Sequence, residues 1–330
     1  MKKTKAAVII VNWNGIRFLK DCLESVSNQS CRDYDVYFVD NGSHDGSSEY
    51  VSNRFPMVKI VQLPRNFGYA GGNNRGIARA LMDREVQYIV CLNNDTIVSK
   101  NWLKELIITA QTDDSIGAVS SKAYFSDGKT IQNAGISLEP ALQANRPGGV
   151  SIGFGFTDDE KPELSHDCEI FAPGGVAALY KRHIIEYLYR RDGEIFDEDF
   201  FAYAEDLDLG FRVRHLGYTC FLSAKATLVH LHSQTTGTAS PFKAYYCERN
   251  TILTAIKNLP LHDLLLFPFR NVALKVSYVF NKNTSVESLK SAVGPLQMAG
   301  ILVRANLASL LLFPKFLMKR RIILRETNEK

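Results

Sequence analysis

Tyr88-Ile89-Val90-Cys91-Leu92 is a short apolar run that ends abruptly in Asn93-Asn94-Asp95-Thr96. Apolar runs of this length form the buried strands of an α/β sheet. Polar side chains just past a strand's carboxyl end stand where open α/β sheets bind their ligands. Asn93 and Asp95, two apart, can both face a hydrated divalent cation, which takes hard oxygen ligands and keeps several waters. A capped turn before a helix would account for the same residues, so the neighbouring segments must decide.

The pattern recurs upstream. Residues 5–11 are apolar and end in Asn12-Trp13-Asn14-Gly15, and residues 16–28 then carry helical periodicity through Phe18, Leu19, Cys22, Leu23 and Val26. Residues 34–39 end in Asp40-Asn41-Gly42-Ser43, with Asp45-Gly46-Ser47 opening a second helix. Residues 58–63 end in Pro64-Arg65-Asn66-Phe67-Gly68, and Tyr69-Ala70-Gly71-Gly72-Asn73-Asn74 leads into a helix expected over 75–82. Residues 87–92 form the fourth strand, with a helix over 102–110. This alternation predicts βαβ units on a parallel sheet. Four polar strand ends on one sheet edge make a site. Asp40 suits a base imide or a ribose hydroxyl, and Asn12 and Asn41 could share that work. The glycines at 68–72 allow close backbone approach, with free N–H groups at a helix start for an anion. No GxGxxG or GxxxxGK[ST] follows any strand, so neither a Rossmann dinucleotide site nor a P-loop is supported.

The chain of 330 residues is long enough for one large domain or two. A net charge of +4 gives no case for a nucleic-acid partner. Six scattered cysteines without a CxxC pair predict free thiols in a reducing compartment. The apolar run at 6–11 is too short for a signal peptide, and no stretch of about 20 uncharged apolar residues predicts a spanning helix. A cytoplasmic protein is expected.

Residues 126–166 are rich in Gly, Pro, Asp and Asn with little periodicity, and either shape an acceptor side or form a solvated excursion. Ala172-Pro173-Gly174-Gly175 is expected to pass close to a ligand. In the acidic stretch from Asp197 to Asp208, Asp197–Asp199 read as loop charges without chemistry, and Asp208 with Arg212 as a helix-supporting pair. Glu205 and Asp206 differ, being bracketed by Leu207, Leu209 and Phe211; a carboxylate held near apolar walls suits a general base. His230 and His232 lie on one face of a short strand.

Val11-Asn12-Trp13-Asn14-Gly15, Val39-Asp40-Asn41-Gly42-Ser43, the Asn66–Asn74 segment, Leu92-Asn93-Asn94-Asp95 and Tyr203-Ala204-Glu205-Asp206-Leu207-Asp208-Leu209 follow in order. Over residues 6–259 the sequence resembles family 2 glycosyltransferases, nearest the bacterial rhamnosyltransferase-like branch that builds surface polysaccharides. The resemblance implies an α/β GT-A fold, Rossmann-like and mostly parallel. It would span residues 1–240, with a C-terminal helical region over 241–330. It further implies a nucleotide-sugar donor, Mg²⁺ or Mn²⁺, inversion at the anomeric carbon, and a glycan or lipid-linked acceptor. By resemblance Asp206 is the base and Glu205 its support, while Asp95 and His230 hold the cation and His232 stands behind them. Asn12, Asp40, Asn41, Asn66, Gly72, Asn93, Asn94 and Arg249 form the donor-binding set, Arg249 near the diphosphate. Asn93-Asn94-Asp95 departs from the Asp-x-Asp of many relatives and leaves one anionic ligand. The donor expected is dTDP-rhamnose, with UDP-sugars as the alternative. A catalytically silent binding subunit stays open. A nucleotidyltransferase would carry a glycine-rich basic loop after the first strand, and 12–15 is not one.

The apolar stretches at 264–270 and 301–318 are broken by Arg270, Arg304 and Lys315 and followed by Lys319-Arg320-Arg321. Such segments suit peripheral contact with an anionic membrane, or packing against the catalytic domain or a twin subunit in a homo-oligomer.

Overall fold

A computed structural model describes residues 5–138, 149–231, 240–280 and 294–327. The chain opens β1 (Ala6–Asn12), α1 (Ile16–Ser27), β2 (Tyr34–Asp40), α2 (Ser47–Arg54), β3 (Lys59–Gln62), α3 (Gly68–Leu81) and β4 (Tyr88–Asn93). It continues with β5 (Thr96–Val98), α4 (Trp102–Gln111), β6 (Ile116–Tyr124), β7 (Ile131–Asn133), β8 (Ile136–Ser137), β9 (Val150–Ser151) and β10 (Cys168–Ile170). Then come β11 (Ala177–Lys181), α5 (Arg182–Asp192), α6 (Glu205–His215), β12 (Thr219–His230), α7 (Pro241–Asn258), α8 (Leu261–Phe280) and α9 (Pro295–Thr327).

The central sheet runs β10-β12-β6-β11-β4-β1-β2-β3. Its β4-β1-β2-β3 half is parallel, β12 runs parallel to β6, and β11 is antiparallel to both its neighbours. The apolar run Ala6–Ile10 is wholly buried because helices cover both faces. α1 and α4 pack Leu19, Leu23, Trp102 and Leu106 on one face, and α3 and α5 pack Ile77, Ala80, Ile184 and Leu188 on the other. All six cysteines are free thiols, as expected.

Register sets the site. Asn12 pairs across from Asp40, and Val11 from Asn93, so three polar strand ends sit at one level. β12 pairs with β5 so that His230 lies opposite Thr96, beside Asp95.

The third helix corrects the expected start at residue 75. It begins at Gly68 because its glycines serve packing: a Cβ on Gly72 would meet Val11 at 2.6 Å, and one on Gly76 would meet Ile9 at 2.5 Å. Glycine is a poor helix former, but here it lets α3 close onto β1.

The acidic stretch is also corrected. Asp197 is not a solvated loop charge but is fully buried, paired with Lys257 at 2.7 Å and with Lys319. Burial alone would raise its carboxyl; Lys257 and Lys319 outweigh that and hold it below the ordinary range. Lys257 also bonds Asp208 at 2.9 Å, and Asp208 bonds Arg212 and Asn258. The Asp208–Arg212 pair is therefore part of a buried network rather than a helix ornament.

That network ties the C-terminal helices down. α9 runs along α7, Lys319 reaches Glu194, Asp197 and Asp199, and Arg320 donates to the carbonyls of Ile256 and Leu259. Its other face is open, exposing Val303, Leu307, Leu310, Leu311, Met318 and Ile322. By length and composition the span Leu296–Leu324 could cross a membrane, a feature the sequence reading did not anticipate.

Lys257→Met should destabilise the fold by about 3–5 kcal/mol in urea unfolding, because two buried carboxylates lose a partner. Lys59→Met, from an exposed pair with Asp35, should cost under about 1 kcal/mol. Equal losses would contradict the buried-network account.

Candidate active site

Three strand ends are knitted together by amides. Asn12 accepts from Asn94 Nδ2 at 2.6 Å and donates to Ser43 Oγ at 3.2 Å, joining the ends of β1, β2 and β4. The Asp40 carboxylate accepts from the Ser43 N–H and the Ser48 hydroxyl, which anchors the turn into α2. Asn41 accepts from Phe67 N and donates to Asn66 Oδ1 and Gly68 O. Asn41 and Asn66 thus hold the loop before α3. Gly72 is taken up by α3–β1 packing, a correction to the expected donor approach. The expected anion nest is corrected too, since Asn66 Oδ1 and Phe201 O accept from the Gly68 and Ala70 N–H groups. The reading from sequence passed over Trp13, which stands 44% exposed beside this network. An aromatic residue directly after a strand end was the available signal.

Asn93, Asp95 and His230 converge. His230 Nε2 lies 3.0 Å from Asp95 Oδ1 and 3.5 Å from Asn93 Nδ2, and Nδ1 faces Gln132 Oε1. Backbone fixes the approach, because Leu231 N donates to Asp95 O at 2.9 Å. An imidazole nitrogen and a carboxylate oxygen 3.0 Å apart stand where both could reach one cation. Gln132, from the irregular 126–166 stretch, fixes the His230 ring from its other side; an outer partner of this kind is what a ligand histidine needs. His232 lies outside the described residues. Among the described residues no group of three or more His, Cys, Asp or Glu side chains is placed to hold a metal ion. One carboxylate and one imidazole still fit an ion that completes its shell with water and substrate phosphate.

Glu205 and Asp206 enter α6 from a contorted turn. Phe201, Tyr203 and Ala204 all have positive φ, of 64°, 70° and 67°. Such residues cost about 1–3 kcal/mol each and persist only where surroundings over-determine them. Asp206 Oδ2 accepts from Gly175 N at 2.8 Å, and Oδ1 accepts from Leu207 N. The Pro173–Gly175 backbone therefore meets Asp206. The next residue, Val176, accepts from Asn93 N at 2.9 Å, so the carboxylate pair and the Asn93–Asp95–His230 group share one wall. Tyr69 Oη donates to Gly175 O and braces that wall. Glu205 Oε2 is buried with no hydrogen-bond partner.

Arg249 lies apart from this group. Its guanidinium is buried and donates to the carbonyls of Asp199 and Phe200. It holds the acidic turn instead of facing an open diphosphate position, which corrects the sequence expectation.

The sequence profile of the family described as "Glycosyl transferase family 2" matches residues 7–186, more than half the chain. The chain belongs to glycosyl transferase family 2. The N-acetylglucosaminyl-diphospho-decaprenol L-rhamnosyltransferase of Mycobacterium tuberculosis is 25% identical over 248 residues, 70% of this chain and 77% of that relative. The cholesterol galactosyltransferase of Borreliella burgdorferi is 28% identical over 116 residues, 34% of this chain. The chain spans only 25%, 31% and 36% of three other curated matches, the Borreliella protein among them. The mannosyltransferase PcManGT of Pyrobaculum calidifontis, solved with GDP-Man and Mn²⁺, superposes with a TM-score of 0.52 at 16% identity, covering 97% of this chain and 84% of its own. S. aureus TarS 1–349 in complex with UDP-GlcNAc gives 0.54 at 15% identity, covering 96% and 92%. The fold of this family 2 chain is the GT-A arrangement, with a mostly parallel sheet and a C-terminal helix.

In this family 2 chain, burial and then the charge of Asp206 push the Glu205 carboxyl well above its ordinary range. Burial also raises Asp206, against the Leu207 and Gly175 N–H groups. The folded state keeps a proton that the unfolded chain releases above its own carboxyl pKa, near about 4.3. Stability therefore falls as pH rises from there toward the raised folded value. Glu205→Gln, which mimics the protonated form, should unfold at a higher temperature than the parent at pH 7. The gap should shrink toward zero near pH 4, and a gap that is constant with pH would refute the assignment.

Proposed function

We propose that the chain is an inverting glycosyltransferase that moves a sugar from a nucleoside-diphosphate donor onto a hydroxyl of a polysaccharide or lipid-linked glycan. The observation that carries this reading is the shared wall joining Asn93, Asp95 and His230 to Glu205 and Asp206 at the carboxyl ends of parallel strands, in a chain of family 2. Asp206 removes the proton of the acceptor hydroxyl. The acceptor oxygen attacks the anomeric carbon from the face opposite the diphosphate, and the bond to the diphosphate oxygen breaks. Glu205, kept protonated by burial, leaves Asp206 as the anion of the pair. Mg²⁺ or Mn²⁺, when bound, neutralises charge on the leaving diphosphate, and Asp95 and His230 would hold it. The strand ends that Asp40 and the asparagine amides hold in place line the nucleoside position, with exposed Trp13 available to stack on a base. The donor is dTDP-rhamnose, a choice supported by the rhamnosyltransferase relative; a UDP-sugar is the second choice, supported by the TarS fold.

Asp206→Asn should keep donor affinity within a few fold and lose about 10²–10⁴ in turnover. Asp95→Ala should remove the cation dependence of donor binding in calorimetry, and His230→Ala should weaken it less. Parental turnover in Asp206→Asn, or unchanged cation dependence in Asp95→Ala, would defeat these roles.

The open face of α9 supports peripheral contact with an anionic lipid surface on the cytoplasmic side. It carries Arg321 among exposed leucines, with Arg304 beside Tyr245 and Lys315 bonded to Asp199 at its edges, and no acidic residue lies between Pro295 and Arg325. Each cation near such a surface adds roughly 1 kcal/mol, whereas a spanning helix would bury Arg304 or Lys315 at about 2.5–3.5 kcal/mol. A twin copy would set cation against cation. Parent chain should co-sediment with anionic vesicles and Leu307→Glu/Leu311→Glu should not. Equal sedimentation, or a dimer in light scattering that the same changes dissolve, would overturn the lipid reading.

A further inference from the structure

Asn250 is fully buried on α7, far in sequence from the carboxylate pair. Its Nδ2 lies 3.0 Å from Phe200 O, 2.8 Å from Ala202 O and 2.7 Å from Tyr203 O. Its Oδ1 accepts from Arg249 Nε at 2.9 Å, which settles which end of the amide faces the carbonyls. Arg249 adds its own bonds to Asp199 O and Phe200 O. The segment so gathered is the strained one. Phe201 (φ 64°, ψ −59°) centres a γ-turn closed by Ala202 N to Phe200 O at 2.7 Å, a rare conformation for a side-chain-bearing residue. Tyr203 and Ala204 follow at positive φ, and Ala204 is the N-cap of α6, next to Glu205 and Asp206. On the opposite side Ala70 N bonds Phe201 O, and a Cβ on Gly68 would meet that oxygen at 2.3 Å.

We infer that Asn250 is a positioning residue, whose carboxamide, oriented by Arg249, holds the Phe200–Ala204 turn in its strained form and so aims Asp206. Carbonyl oxygens brought together repel one another, and one buried NH₂ group directed at three of them offsets that repulsion. The inference rests on the proposed role of Asp206 as base.

The test is Asn250→Ala in the full chain, read by turnover, donor binding and hydrogen exchange. Turnover should fall about 10- to 100-fold, as for a reacting group displaced by about an ångström, with donor affinity within threefold. Amides of residues 199–206 should exchange at least tenfold faster while those of β1 and β4 keep their rates. Ala204→Gly added to Asn250→Ala should restore at least threefold of the loss, because glycine adopts positive φ without strain. Loss of packing alone would not respond to that change. Arg249→Lys, which retains the charge but not the Nε bond, should give the same pattern more weakly and serves if Asn250→Ala does not fold. Parental turnover and exchange in these variants, or loss spread evenly over the molecule without rescue by Ala204→Gly, would overturn the inference. Faster exchange at 199–206 together with parental turnover in Asp206→Asn would instead overturn the base assignment and leave the clamp standing.

Discussion

The Asp197–Ala204 segment is held between two incompatible demands. It must bury a carboxylate at Asp197 and twist three non-glycine residues to positive φ, and neither is stable alone. Lys257 and Lys319 answer the first, and Arg249 and Asn250 answer the second. All four come from the C-terminal helices. The candidate site on the sheet thus takes part of its geometry from α7 and α9, which pack into the acidic turn. A buried ion network is weak evidence for added stability, since desolvation opposes it. Its consequence here is register, because only one seating of α9 brings Lys319 to Glu194, Asp197 and Asp199 together.

The other half of the site comes from strand register. Parallel pairing sets Asn12, Asp40 and Asn93 at one level, and the antiparallel return of β12 brings His230 to Asp95. Most of the amides then bond one another. Asn12, Asn41, Asn66 and Asn94 thereby fix the rim around Trp13, Asp95 and the Glu205–Asp206 pair. Burial does the rest: it raises both carboxyls of the pair and leaves one oxygen of Glu205 without a partner.

Much of this was legible in the sequence because it is local. Apolar runs ending in Asn or Asp mark strands and their site edge, and the bracketing of Glu205 and Asp206 by leucines marks a buried pair. The failures are non-local. Gly68 to Gly76 look like a loop by propensity, and only the surface of β1 explains why they are helical. Asp197 looks solvated until Lys257 and Lys319, 60 and 122 residues away, are brought to it. Arg249 looks like a substrate ligand because nothing in its own segment reveals the carbonyls of Asp199 and Phe200. Gln132 sits in a stretch without periodicity, so its contact with His230 had no sequence signal.

The central claim is that one wall of this family 2 fold holds both a cation site and a base. Anomalous X-ray scattering from crystals grown with Mn²⁺ and a nucleoside diphosphate tests it most directly. The account predicts a manganese peak bonded to the Asp95 carboxylate and His230 Nε2, with the diphosphate on its open side and Asp206 facing the sugar position. A nucleotide bound with manganese elsewhere, or with Asp206 turned away behind Gly175, would contradict it.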